Sequence, residues 1–164
     1  MKKAIVAFLA VILAATPALA DVRLWSYDAA DRVTRALTQG LTFEVRRGLF
    51  GAVSVLKIHA TTSRGSAEVK WGGPAETLSV LPAGARERDV YQIVPEGEGR
   101  GLVRALCPSA DAAWLVMGRV RAGRPLTMHA VGLWADGRYR HCVQLNYAFR
   151  GDWTAPEPGR PVID

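Results

Sequence analysis

A chain of 164 residues in which 49% are hydrophobic and 22% charged carries enough apolar material for a buried core, and too much for a disordered segment. Its formal net charge of +6, from 21 Lys and Arg against 15 Asp and Glu, suits an anionic partner better than a cationic one.

At the start, Lys2 and Lys3 precede an apolar run from Ala4 to Ala15, and Ala18-Leu19-Ala20 stands before Asp21. These are the charged, apolar and small-residue parts of a secretory signal peptide. The apolar run of 12 residues is shorter than the roughly 20 that a spanning helix needs. Cleavage after Ala20 is expected, followed by a single β-rich domain (21–153) and a Pro-rich tail (154–164), with no transmembrane segment and a periplasmic or secreted location. Cleavage lowers the net charge to +4, and 17 of the remaining 19 cations are arginine. Export argues against nucleic acid as the partner.

Asp28 to Gln39 places Ala29 or Ala30, Val33 and Ala36-Leu37 at helical spacing, with an aspartate to cap the start and Gly40 to end it. One short helix is predicted there. The period then changes to two. Strands are predicted over Leu41–Arg47, Ala52–Ala60, Ala67–Trp71, Arg88–Val94 and Ala113–Arg121, separated by Gly- and Ser-containing turns. Gly72 to Arg86 reads either as a loop with one short strand or as a short helix near Pro74, and Leu102–Leu106 is ambiguous.

Leu126 to Phe149 is the stretch with the clearest geometry, two apolar-rich runs joined by Asp136-Gly137. A two-residue type I′ turn there pairs Trp134 with Tyr139, Gly132 with His141, Ala130 with Val143, Met128 with Leu145 and Leu126 with Tyr147. Leu126, Met128, Ala130, Trp134, Tyr139, His141, Val143, Leu145 and Tyr147 then share the core face, with His129, Arg140 and Cys142 among the residues outside. Val131, Leu133 and Cys142 make the outer face locally apolar, and the segment holding Cys107 is expected to cover it. About seven strands and one early helix predict an antiparallel β-sandwich or a partly open β-barrel.

Cys107 and Cys142 are the only cysteines, and in an exported domain they are expected to form a disulfide. Cys142 neighbours His141, but successive strand residues point to opposite faces, which argues against a Cys-His catalytic pair. His59, His129 and His141 show no metal-ligand spacing, no serine has a nucleophile-elbow context, and Gly97-Glu-Gly99-Arg-Gly101 fits no phosphate-loop pattern. No catalytic residue, metal or cofactor is therefore assigned. The five tryptophans, Trp25, Trp71, Trp114, Trp134 and Trp153, read as core anchors. Arg119 and Arg121 share a predicted strand face with Arg124 just beyond, while Arg138 and Arg140 flank the hairpin tip, and Arg46 and Arg47 end an early strand. They offer either edge protection or an anion and partner surface.

Three function classes follow. The first is a non-enzymatic exported domain that engages a protein or an anionic envelope component through a strand edge or an arginine-rich surface. The others are a carrier of a small apolar ligand within the β-structure and an enzyme with a dispersed site.

Overall fold

In the computed structural model, residues 22–48, 51–62 and 65–155 are described. The predicted signal peptide, and the proline-rich tail beyond Ala155, lie outside them. Among the described residues, eight antiparallel strands, β1 (Val22–Ala29), β2 (Gly40–Arg47), β3 (Val53–Ala60), β4 (Ser66–Trp71), β5 (Asp89–Ile93), β6 (Ala112–Met117), β7 (Leu126–Leu133) and β8 (Tyr139–Thr154), pair in sequence order. β8 pairs back onto β1, which closes the sheet into a barrel.

Alternation builds the interior. Leu41, Phe43 and Val45 of β2 point inward and are buried, while Thr42 and Glu44 between them are half-exposed. The same period puts Trp25 and Tyr27, Val55, Ala67 and Val69, Tyr91 and Ile93, Leu115 and Met117, Met128 and Ala130, and Leu145 and Tyr147 into one continuous core. Because the strands connect up and down, the β1–β2, β3–β4, β5–β6 and β7–β8 connections share one end of the barrel. The β2–β3, β4–β5 and β6–β7 connections share the other.

The first end is plugged by two helices. In α1 (Arg32–Thr38) Asp31 caps the start, accepting from the Thr34 N–H at 2.8 Å, and Thr38 meets the Tyr147 hydroxyl at 3.0 Å inside. The predicted helix is present, but its buried face is Thr34 and Thr38, while Val33 is exposed. Two further helices follow in the chain. The single turn of α2 (Glu76–Ser79) lies in the β4–β5 connection, and α3 (Gly99–Leu106) in the β5–β6 connection, where the sequence alone is ambiguous. The second plug is α3, which inserts Leu102, Val103 and Leu106 into the core at helical spacing.

A second apolar layer sits outside the barrel. Val90, Trp114, Val116 and Val131 on the outer face are covered by Leu78, Val80 and Leu81, in and just after α2. The covering segment is thus residues 72–88, not the Cys107 segment. Cys107 is itself in the interior, disulfide-bonded to Cys142 as expected, with the two Cα atoms 5.3 Å apart.

The hairpin register differs from the simple two-residue reading. Gly137 N–H donates to the Trp134 carbonyl at 2.9 Å, Trp134 N–H donates to the Arg138 carbonyl at 3.2 Å, and Gly137 has φ +74° while Asp136 is not in the positive range. The loop is therefore the three residues Ala135-Asp136-Gly137, a type I turn completed by a left-handed glycine, because type I′ needs positive φ at both central positions. The extra loop residue offsets the pairing to Leu133–Tyr139, Gly132–Arg140 and Val131–His141. A β-bulge at Cys142 then restores the register, so that Ala130–Val143 through Leu126–Tyr147 pair as predicted. Near the tip the face assignments are reversed. Tyr139 packs into the outer layer, His141 joins His129 outside, Cys142 turns inward, and Arg140 comes to the Gly132 side, where it lies over the Trp134 ring.

Candidate functional site

At the end formed by the β2–β3, β4–β5 and β6–β7 connections, the inward-facing file of several strands changes character. On β2 it runs Leu41, Phe43, Val45, Arg47; on β1, from inside to rim, Tyr27, Trp25, Arg23; on β4, Ala67, Val69, Trp71; on β5, Ile93, Tyr91, Asp89. The core is apolar below, and the rim above it carries charge and one open tryptophan. Arg47, Arg119, Arg121 and Asp89 are the charged residues lining a cavity of about 760 Å³ at this mouth, together with Trp25, Trp71, Tyr91, Val53 and Val120.

The sequence pattern puts Arg119 and Arg121 on a strand face, but β6 ends at Met117, and both stand on the connection that follows. Val120 between them is buried against the core, so its two neighbours are held at the rim on either side. The Arg121 carbonyl accepts from the Tyr27 hydroxyl at 3.2 Å, which ties this connection to the barrel interior. Neither guanidinium makes an ion pair among the described residues.

Arg47 is the third cation of the cavity, brought to the mouth by the inward file of β2. Its guanidinium lies over the Trp25 ring at 5.5 Å and pairs with Asp152 at 3.1 Å. Asp152 also binds Arg23 at 2.8 Å, so one carboxylate is shared by two arginines. A cation stacked on an aromatic ring and braced from the side loses little freedom on binding an anion.

Two aromatic groups of the wall are incompletely used by the fold. The Trp25 indole is 2% exposed, and its Nε1–H is buried with no hydrogen-bond partner among the described residues. An indole N–H only donates, so its complement is an acceptor atom. Trp71 stands directly opposite Tyr91 in the ladder and meets it edge to face at 5.0 Å, yet it is 68% exposed. Burial, and then the Asp89 charge, push the pKa of the Tyr91 hydroxyl up to about 12.

The remaining arginines of the predicted surface are elsewhere. Arg124 is exposed on the β6–β7 connection outside the cavity lining. Arg138 and Arg140 are at the opposite end of the barrel, where Arg140 pairs with Asp136 and lies 5.0 Å from the Trp134 ring centroid. Closure of the barrel also removes the long free edges that edge-protecting arginines or strand addition would require. Of the tryptophans, Trp25 and Trp114 are buried core anchors, whereas Trp71 and Trp153 are exposed.

A second constellation depends on the shifted register. His129, 2% exposed, meets His141 across 3.1 Å (Nδ1 to Nε2) and Glu87 across 3.2 Å (Nε2 to Oε2). Ionised Glu87 only accepts, so His129 donates to it through Nε2–H, and of the His129 Nδ1 and the His141 Nε2 one donates to the other. The three side chains thereby form a hydrogen-bonded chain that fastens segment 72–88 to the sheet. These three side chains bond to one another rather than around a common centre, and among the described residues no group of His, Cys, Asp or Glu side chains is arranged to hold a metal ion.

Comparison of the chain with protein-family models, with curated proteins and with solved structures finds no match.

Proposed function

We propose that the chain is an exported binding protein that captures an anionic group at the arginine-rimmed mouth of its barrel. The observation that carries this reading is the charge of the cavity lining: Arg119 and Arg121, in no ion pair among the described residues, stand beside Arg47, which shares Asp152 with Arg23, and Asp89 is the one acid of the lining. Like-charged guanidinium groups gathered at one rim repel one another, and an anion relieves that repulsion. Export is supported by the three-part N-terminal pattern and by the disulfide, which persists in oxidising compartments.

The apolar-carrier reading is less well supported. The space that such a ligand would need inside the barrel is occupied by Phe43, Ile58, Leu115, Met128 and Leu145, and by Leu102 and Leu106 of α3. An enzymatic reading finds, among the described residues that line the mouth, one carboxylate and no paired nucleophile and base.

Calorimetric titration of the mature protein with inorganic phosphate and with sulfate at low salt tests the proposal. Binding is expected to weaken steeply at high salt, and Arg119→Ala with Arg121→Ala should weaken it at least about tenfold. Arg138→Ala with Arg140→Ala, at the far end, should leave it unchanged. Equal losses from the two pairs, or no salt dependence, would remove the mouth as the anion site.

A further inference from the structure

We infer that the anion taken by this mouth is amphiphilic: a phosphate or carboxylate head held by Arg119 and Arg121, with an apolar body lying on Trp71. The inference rests on the anion-binding reading above and adds to it the chemistry of the rest of the ligand.

Trp71 occupies an inward-facing position. Ala67 and Val69, four and two residues before it on the same face of β4, are buried in the core, and its ladder partner Tyr91 is buried as well. Alternation therefore brings the indole to the cavity side of the wall, where a core side chain would normally be covered. At 68% exposure it is the most exposed large hydrophobic side chain among the described residues. Aromatic rings exposed in this way on a concave wall recur where apolar ligand surface is received.

The wall beside Trp71 is also split. The β3–β4 ladder consists of Lys57–Glu68, Ile58–Ala67 and His59–Ser66 and stops there, whereas β4 pairs with β5 through Val69, Lys70 and Trp71. Residues 53–56 of β3 and 69–71 of β4 thus run to the mouth without ladder pairs between them. Val53 and Trp71, from the two sides of this gap, both line the cavity. Val53 and Trp71 thus give the cavity an apolar lining beside its arginine rim, where a chain or ring attached to a head group can lie. A bare inorganic anion would use the arginines and leave both Trp71 and Val53 uncovered.

The test compares octyl phosphate below its micellar concentration, inorganic phosphate and octyl glucoside, by calorimetry on the mature protein. Octyl phosphate is expected to bind at least about tenfold more tightly than inorganic phosphate, and octyl glucoside to bind more weakly than octyl phosphate by a similar factor. Trp71→Ala, and Trp71→Gln as a bulkier replacement, should reduce the octyl advantage, taken in each variant relative to inorganic phosphate, to below about threefold. Equal binding of octyl phosphate and inorganic phosphate overturns the amphiphile and leaves the anion site standing. An octyl advantage that survives both Trp71 variants overturns the placement of the apolar body. Octyl glucoside binding as tightly as octyl phosphate, or no binding of either phosphate, overturns this inference and the anion reading together. Cosedimentation with phosphatidylglycerol vesicles, and not with phosphatidylcholine vesicles, assigns the head group to a lipid surface. Binding of dispersed octyl phosphate without cosedimentation assigns it to a free amphiphile.

Discussion

His129 and Glu87 meet across 3.2 Å, joining the β-sheet to the segment that covers its outer face. Burial opposes the charge on Glu87, but the backbone N–H groups of Glu87 and Arg86 and the His129 ring outweigh it and hold the carboxyl below its ordinary value of 4.5. A carboxylate depressed in the folded state contributes stability that is present above its unfolded pKa and is lost as pH falls through the folded one. The His141 pKa is lowered from 6.5, by burial first and then by the neighbouring His129. Its neutral form is the one the fold accepts, so its contribution begins to fade already below pH 6.5. Two acid windows are expected. His141→Gln should flatten the dependence of melting temperature on pH in the upper window, and Glu87→Gln in the lower, with a cost at neutral pH of about 1 to 3 kcal/mol for the lost charged hydrogen bond. Thermal melts from pH 7.5 to 3 check both. Unchanged profiles in the two variants would show that this trio does not set the acid response.

The disulfide joins the end of α3, the inner plug, to the bulge in β8, across a sequence separation of 35. The chain-entropy model gives roughly 3.5 to 4 kcal/mol for closing a loop of this length. Cys107→Ser with Cys142→Ser should therefore lower the denaturation free energy by about that amount, and thiol titration of the unreduced, unfolded protein should find no free thiol. Two titratable thiols would show that the bridge does not form.

Seven of the eight strands are legible from period-two alternation, and the reason the eighth is not is visible in β1. Its outward positions include Val22 and Leu24, and its inward file begins with Arg23 at the rim, so the polarity expected of each face is inverted at the start of the strand. Without β1 the sheet has no partner for β8 and does not close. The α3 segment is ambiguous because eight residues hold too little periodicity to tell a helix from a strand. The site is legible in part. Arg119 and Arg121 stand out in the sequence, but so do Arg138 and Arg140, and only closure and the up-and-down order separate the two ends. Arg47 carries a signal of its own: it continues the buried spacing of Leu41, Phe43 and Val45 by one more step. The meeting of His129, His141 and Glu87 depends on a compensating bulge and on a long-range cover. Neither leaves a trace in spacing.

Asp136-Gly137 shows how one dipeptide serves two turns. Both the two-residue and the three-residue loop require a left-handed glycine at Gly137, and the structure gives φ +74° there with nothing within 4 Å of where a Cβ would stand. The cost of Gly137→Val is then purely conformational, about 1 to 3 kcal/mol. Trp134 is only half-buried, so Trp134→Ala should cost about 1 to 2 kcal/mol, less than for a fully buried ring. Urea denaturation of the two variants measures this. A Trp134→Ala cost above that of Gly137→Val by several kcal/mol would mean that the hairpin tip is packed far more tightly than its exposure indicates.

The first residue of α3 offers the sharpest test of the plugged barrel. Gly99 does not have a positive φ, so its role is not the backbone freedom of glycine but the space it leaves. A Cβ at this position would lie 1.8 Å from the Val94 carbonyl oxygen and 3.5 Å from the Ala67 Cβ. The first of these contacts is with backbone and cannot be relieved by a rotamer change, so Gly99→Ala must push the start of α3 away from the end of β5. Overpacking of this kind costs about 1 to 3 kcal/mol, and because α3 carries Leu102, Val103 and Leu106 the displacement should loosen core contacts beyond the mutated site. Hydrogen exchange should show the loss of protection concentrated in α3 and β4, with the mouth residues at the other end of the barrel unaffected. Anion binding by Arg119 and Arg121 should accordingly survive Gly99→Ala at temperatures where the variant is folded. If Gly99→Ala were as stable as the parent, α3 would not be seated against β5 as described, and the assignment of the plugged and open ends would have to be redrawn.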